Sequence, residues 1–135
     1  MPSSTTSFSP TRVLLVDDSE PILARAAAAL AEECEIVGAV TDGLAALAAA
    51  KSLQPDVVVL DISMPGISGF QVASRLSNAG VTAAIVFLTV HDGEEFVLTA
   101  KLEGAIGFVV KTRLVSDLPA AVREARAGRP FVSAL

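Results

Sequence analysis

Hydrophobic positions along this chain fall into two alternating textures. Five short apolar runs, Val13–Val16, Ile36–Val40, Val57–Leu60, Ala84–Leu88 and Ala105–Val110, are mostly unbroken. Such runs suit parallel strands buried on both faces rather than half-exposed ones, which would alternate with polar residues. Between them, apolar residues recur at helical spacing. The sets are Ile22, Leu23, Ala26 and Leu30; Leu44, Leu47 and Ala48; Phe70, Ala73 and Leu76; Phe96, Val97 and Ala100; and Leu118, Ala121, Val122 and Ala125. Gly80, Gly104 and Gly128 follow the third, fourth and fifth helical stretches, where a left-handed cap costs glycine least. Ser116 is placed to cap the fifth helix, with Pro119 then in its first turn. Asp92, Glu94 and Glu95 suit the positive end of the fourth.

Five strands alternating with five helices predict an α/β three-layer sandwich, a parallel sheet with helices on both faces. Right-handed crossovers leave few topologies, and the flavodoxin-like strand order 2-1-3-4-5 is the expected one. In such a sheet, ligands bind beyond the carboxyl ends of the strands, at the switch between strands 1 and 3. The 135 residues suit one compact domain, without an internal repeat. Residues 1–11 read as a loose polar tail, 12–129 as the domain, and 130–135 as a tail or the start of a linker.

Composition narrows the function. The chain is 52% hydrophobic with a mean hydropathy of +0.60, much of it alanine, yet no apolar stretch approaches a membrane span. Met1–Thr11 lacks the basic start and apolar core of a signal peptide. A net charge of −5 and a pI near 4.7 argue against direct nucleic-acid binding. A single cysteine, Cys34, excludes an internal disulfide and reads as a packing residue, so a reducing, cytoplasmic setting is expected.

The chemistry lies at the strand ends. Strand 1 runs into Asp17-Asp18, strand 3 into Asp61, strand 4 into Thr89 and strand 5 into Lys111. The predicted topology brings these five polar residues, scattered in sequence, to one rim. Carboxylates held together repel, and a divalent cation relieves the repulsion; oxygen ligands favour Mg²⁺ or Ca²⁺ over zinc. A carboxylate can also act as a nucleophile and form an aspartyl phosphate. A cation and a lysine would then offset charge on the phosphoryl oxygens, with Thr89 as a hydrogen-bond donor.

The segments Val13-Leu-Leu-Val-Asp-Asp18, Val57-Val-Val-Leu-Asp-Ile-Ser-Met-Pro-Gly-Ile-Ser-Gly69, Phe87-Leu-Thr89 and Gly107-Phe-Val-Val-Lys111 resemble the receiver domain of bacterial two-component response regulators. The resemblance runs in register from about Arg12 to about Ala127. It implies that Asp61 is the phosphoacceptor and that Asp17 and Asp18 are the acidic pair holding Mg²⁺. Ser63 would lend its backbone carbonyl to the metal. Thr89 and Lys111 match the switch hydroxyl and the lysine at the phosphoryl group, and Phe108 matches an aromatic that swings inward with the switch. Lys111–Ala120 and Ala127–Ser133 are similar to the LuxR/NarL-type subgroup, whose members usually continue into a DNA-binding helix-turn-helix. Two readings stand: a stand-alone receiver, or a piece of a longer regulator.

The resemblance also implies partners. These are a sensor histidine kinase or phosphotransfer protein as donor, and a face of helix 4, strand 5 and helix 5 read by a partner, a second copy or an effector domain. No turnover of an external substrate is expected. A magnesium phosphatase would call for a second acid two residues after the nucleophile, where Ser63 stands. A flavodoxin would not place the acidic Val16-Asp-Asp-Ser19 against a phosphate. A phosphorylation-independent adaptor is the remaining alternative. Three positions depart from the family pattern: Thr112 replaces the common proline after Lys111, leaving the local loop geometry open; Val90 is larger than usual, and narrower access to the phosphate is expected; and Phe108 replaces tyrosine. His91, the only histidine, reads as an exposed residue near a helix start rather than a group over the phosphate, and Met64 and Phe70 read as packing.

Overall fold

The computed structural model describes residues 9–91 and 93–133. Six parallel strands form one sheet: β1 (Thr11–Val16), β2 (Cys34–Val40), β3 (Val57–Leu60), β4 (Ala84–Thr89), β5 (Gly107–Val110) and β6 (Phe131–Val132). Their spatial order is β2-β1-β3-β4-β5-β6. The helices are α1 (Glu20–Leu30), α2 (Gly43–Leu53), α3 (Gly69–Asn78), α4 (Glu94–Leu102) and α5 (Leu114–Arg126), with a 3-10 turn at Lys111–Arg113. The expected flavodoxin-like sandwich is present. Among the described residues no helix is long and apolar enough to cross a membrane.

Burial on both sides explains four of the apolar runs; the fifth, Ile36–Val40, forms the edge strand and is only half-buried, with Ala39 exposed. Val13, Leu15, Val57, Val59, Val86, Leu88 and Val109 pack with Ala26 and Leu30 of α1 and with the apolar stripe of α5. Their neighbours Leu14, Val16, Val58, Leu60, Phe87 and Phe108 pack with residues of α2, α3 and α4. Ser19 caps α1, Asp42 caps α2, and Ser68 forms a capping box with Gln71 on α3. Gly80, Gly104 and Gly128 take positive φ as expected. Cys34 is half-buried, and burial raises its thiol pKa. Met64 and Phe70 pack against the core as read.

Several expectations need correction. The sheet has six strands, not five. Phe131 and Val132, expected in a tail or linker, continue the sheet by pairing with Gly107 and Phe108. Thr11, expected in the loose N-terminal tail, starts β1. In α2 the buried face is Gly43, Ala46 and Ala50, while Leu44 is 65% exposed. Leu47 packs against the core as expected, but Leu44 and Ala48 do not, because small residues make the closest contact: a Cβ at Gly43 would overlap Ile67. Ser116 does not cap α5, whose N-cap is Arg113, and Pro119 lies within the helix. The 3-10 turn starts the helical path early, so Pro119 falls beyond the first turn and removes one backbone bond. Glu94 and Glu95 open α4 as expected; Asp92 lies outside the described residues.

Gly69 fixes how α3 meets the acidic rim. Its N–H donates to the Ile62 carbonyl at 2.7 Å, and a Cβ there would overlap the Asp61 carbonyl oxygen and crowd the Ile62 Cα. These obstacles are backbone, so they cannot rotate away. Gly69→Ala is expected to cost about 3 kcal/mol in a urea titration. A loss under about 1 kcal/mol would show that the α3 entry adapts freely.

Candidate functional site

The parallel register delivers the polar residues to one edge. The Asp61 N–H donates to the Val16 carbonyl at 2.9 Å, and the Asp17 N–H to the Val40 carbonyl at 3.1 Å. The sheet ladder thus extends one residue past β1 and β3 and holds both aspartates in place. Asp17 is 2% and Asp61 4% exposed, whereas Asp18 is exposed. The three carboxylates each offer an oxygen within 4.8 Å of the others.

Lys111 follows β5 and closes the cluster. Its Nζ lies 2.8 Å from Asp17 Oδ2 and 3.4 Å from Asp61 Oδ2. Asp17 Oδ1 accepts from the Ser19 N–H at 2.9 Å, which ties the carboxylate to the start of α1. Asp17 Oδ2 is buried and is met by the Lys111 ammonium alone, with no further hydrogen-bond donor.

The electrostatics follow from this geometry. Burial, then the neighbouring Asp17, pushes the Asp61 pKa up from 3.8 to about 6, against the lowering pull of Lys111. Burial disfavours the Lys111 ammonium, but Asp17 and Asp61 outweigh it and hold its pKa above the usual value. At neutral pH the cluster therefore carries more negative than positive charge. An oxygen-lined, electronegative site of this kind fits a hard divalent cation such as Mg²⁺.

The other predicted residues are placed as follows. Thr89 ends β4 fully buried, and its Oγ1 accepts from the His91 N–H at 3.1 Å. Phe108 is 2% exposed and belongs to the core on the α2–α4 side of the sheet. Ser63 is exposed on the loop after β3. Val90 is 66% exposed beside the site. The peptide bonds of the described residues are all trans, so Lys111 leads to Thr112 through the 3-10 turn.

His91 is the residue that sequence reasoning undervalued. Its Nε2 and Ser63 Oγ are 2.8 Å apart, and its ring stacks on Phe96 at 4.2 Å with a 7° tilt. The loops after β3 and β4 are thereby joined across the rim. The only signal in the sequence was the pairing of a histidine two residues after Thr89 with a serine two residues after Asp61.

The response regulator receiver domain family matches residues 13–123. This chain belongs to that family. Among its relatives, the nitrate/nitrite response regulator protein NarL of Escherichia coli K12 is 33% identical over 127 residues, covering 92% of this chain and 58% of the relative. The positive alginate biosynthesis regulatory protein of Pseudomonas aeruginosa is 39% identical, covering 91% of this chain and 50% of that protein. The signal receiver domain of the response regulator NarL from Mycobacterium tuberculosis superposes with a TM-score of 0.85 at 32% identity, over 89% of this chain and 98% of that one. Its relatives thus include NarL-type response regulators, and the chain spans about half the length of these curated relatives.

Proposed function

We infer that Asp61 accepts a phosphoryl group in a Mg²⁺-dependent reaction and that this switches a protein-binding face. The observation that carries this reading is the buried Asp17–Asp61 pair with Lys111 against both, open on a rim next to Thr89. Asp17, Asp18 and Asp61, with the Ser63 backbone carbonyl, would hold the metal. When bound, the cation supplies charge that offsets the phosphoryl oxygens. An Asp61 carboxylate oxygen attacks phosphorus in line; the new O–P bond forms as the donor's P–N bond breaks, and the freed imidazole keeps that electron pair. Lys111 stabilises the negative charge on the transferring group. The Thr89 hydroxyl exchanges its bond from the His91 N–H for one to the phosphoryl group, and Phe108 follows as the switch aromatic.

The donor is a sensor histidine kinase or a phosphotransfer protein. The switched surface is α4, β5 and α5, where Leu98, Leu102 and Val115 are exposed large apolar residues. That surface suits a partner, a second copy of this chain, or an effector domain of a longer regulator, the regulators among the relatives being the analogy. The acidic charge assigns any DNA contact to such a domain rather than to this chain. The protein reacts on itself, by phosphorylation and autodephosphorylation, in the cytoplasm. The expected result with acetyl phosphate and Mg²⁺ is a gain of one phosphoryl group in intact mass, absent in EDTA. No gain from either acetyl phosphate or a phosphohistidine donor, together with no Mg²⁺ binding, would leave the phosphorylation-independent adaptor.

A further inference from the structure

The chain leaves β6 through a buried polar cluster that the acceptor site does not use. Ser133 is 2% exposed, directly after the last strand. Its N–H donates to the Phe108 carbonyl at 2.8 Å. Its hydroxyl donates to Asp117 Oδ2 at 2.8 Å and accepts from the Val110 N–H at 3.2 Å. Asp117 is itself 8% exposed, an acid on the apolar stripe of α5. It also accepts from Arg113 Nε at 2.7 Å and from the Ser116 hydroxyl at 3.1 Å. Arg113 and Ser133 together lower the Asp117 pKa, so the carboxylate is ionised at neutral pH.

These bonds bracket one residue. Val110 precedes Lys111, and Arg113 follows it by two positions. Both are bound to the same Ser133–Asp117 pair, 23 and 4 residues away respectively. A short 3-10 turn between two anchored points leaves the Lys111 backbone little freedom, and the β6 pairing supplies the rigid side of the bracket. A buried, hydrogen-bonded carboxylate is costly to place on a helix stripe. Packing alone would be served as well by an apolar side chain, which is what the other buried positions of α5 carry.

We propose that Ser133 and Asp117 are positioning residues for Lys111, forming a clasp by which the C-terminal strand sets the efficiency of phosphoryl transfer to Asp61. The rate comparison rests on the proposed phosphoryl acceptance; the clasp also has a test that does not. Ser133→Ala removes the bond to Val110 and one bond to Asp117. Its maximal rate of phosphorylation at saturating acetyl phosphate is expected to fall about fivefold, the worth of roughly one hydrogen bond. The KM for acetyl phosphate and the Mg²⁺ affinity stay within about twofold, because the carboxylates are untouched. Ser133→Thr, which keeps the hydroxyl, restores the rate.

A merely structural role is separated by a double-mutant cycle. In a Lys111→Met background the Ser133→Ala effect is expected to vanish. An undiminished effect there, or an unchanged rate in Ser133→Ala alone, overturns the proposal. In the unphosphorylated chain, Ser133→Ala is expected to speed amide exchange of residues 110–113 about tenfold, with Ser133→Thr close to the natural chain. Unchanged exchange overturns the clasp without touching the receiver chemistry. A natural chain that takes up no phosphoryl group refutes the proposed function instead, and the exchange comparison still decides the clasp.

Discussion

Asp61→Asn is expected to abolish phosphoryl uptake and, in the same protein, to raise stability above pH 6. The first effect follows from the nucleophile. An amide oxygen carries no negative charge and forms no stable phosphate ester, so incorporation should fall below detection, a loss of about a thousandfold or more. The second follows from the burial of Asp61 against Asp17, which raises its pKa from 3.8 to about 6. Below about pH 4 the carboxyl is protonated in both the folded and the unfolded chain and carries no penalty. Between about 4 and 6 the unfolded chain loses this proton first, so folding stability falls as pH rises, and above the folded value the penalty is complete. The rise is equivalent to at most about 3 kcal/mol, and water at the open rim reduces it to on the order of 1–2 kcal/mol. Urea titrations in EDTA should therefore show Asp61→Asn more stable than the natural chain at pH 7.5 and equal to it near pH 4. Mg²⁺ should narrow the difference at pH 7.5 by relieving the natural cluster. An Asp61→Asn protein less stable than the natural chain at pH 7.5 would show that the acidic pair is not strained, and would remove the physical basis for a cation there.

Lys111→Met should slow phosphorylation of Asp61 by about a hundredfold at saturating Mg²⁺. Methionine keeps most of the apolar stem and removes only the charge, 2.8 Å from Asp17 and 3.4 Å from Asp61. The ammonium is already placed in the resting protein, so it spends no reorganisation when charge develops on the transferring group; donors of that kind are worth about 3 kcal/mol. The ground state responds in the opposite sense. With the lysine gone, Mg²⁺ is the only counter-charge left to the cluster, and its affinity should rise. The paired measurement is the rate with acetyl phosphate and the Mg²⁺ titration. A rate within about twofold of the natural chain would reduce Lys111 to a structural ion pair.

What the sequence makes legible in this protein and what it does not are separated by a physical line. The strands were legible because a core on both faces of a sheet demands unbroken apolar runs, and Val13–Val16 and Val57–Leu60 are short runs of that kind, rich in β-branched residues. The rim was legible because parallel connectivity puts the residue after each strand at the same edge, so Asp17, Asp61 and Lys111 converged without any knowledge of distance. Helix phase was not legible in α2, where Gly43, Ala46 and Ala50 face inward and Leu44 does not. An alanine-rich segment carries almost no amphipathic signal, and the Ile67 and Val72 side chains over Gly43 decide its rotation.

By itself the sequence determined the order of the first five strands and the five helices along the chain and the membership of the acidic rim, since each follows from local periodicity plus chain connectivity; the sheet order was the leading one of the few that right-handed crossovers allow. Tertiary structure alone decided the rest. The sixth strand depends on the free edge of β5, which two residues of weak pattern found only in three dimensions. The join between Ser63 and His91, and the one between Ser133 and Asp117, link residues far apart in the chain through single hydrogen bonds. A hydrogen bond of that range leaves no period in a sequence, because its partners are matched in space after the layers have packed.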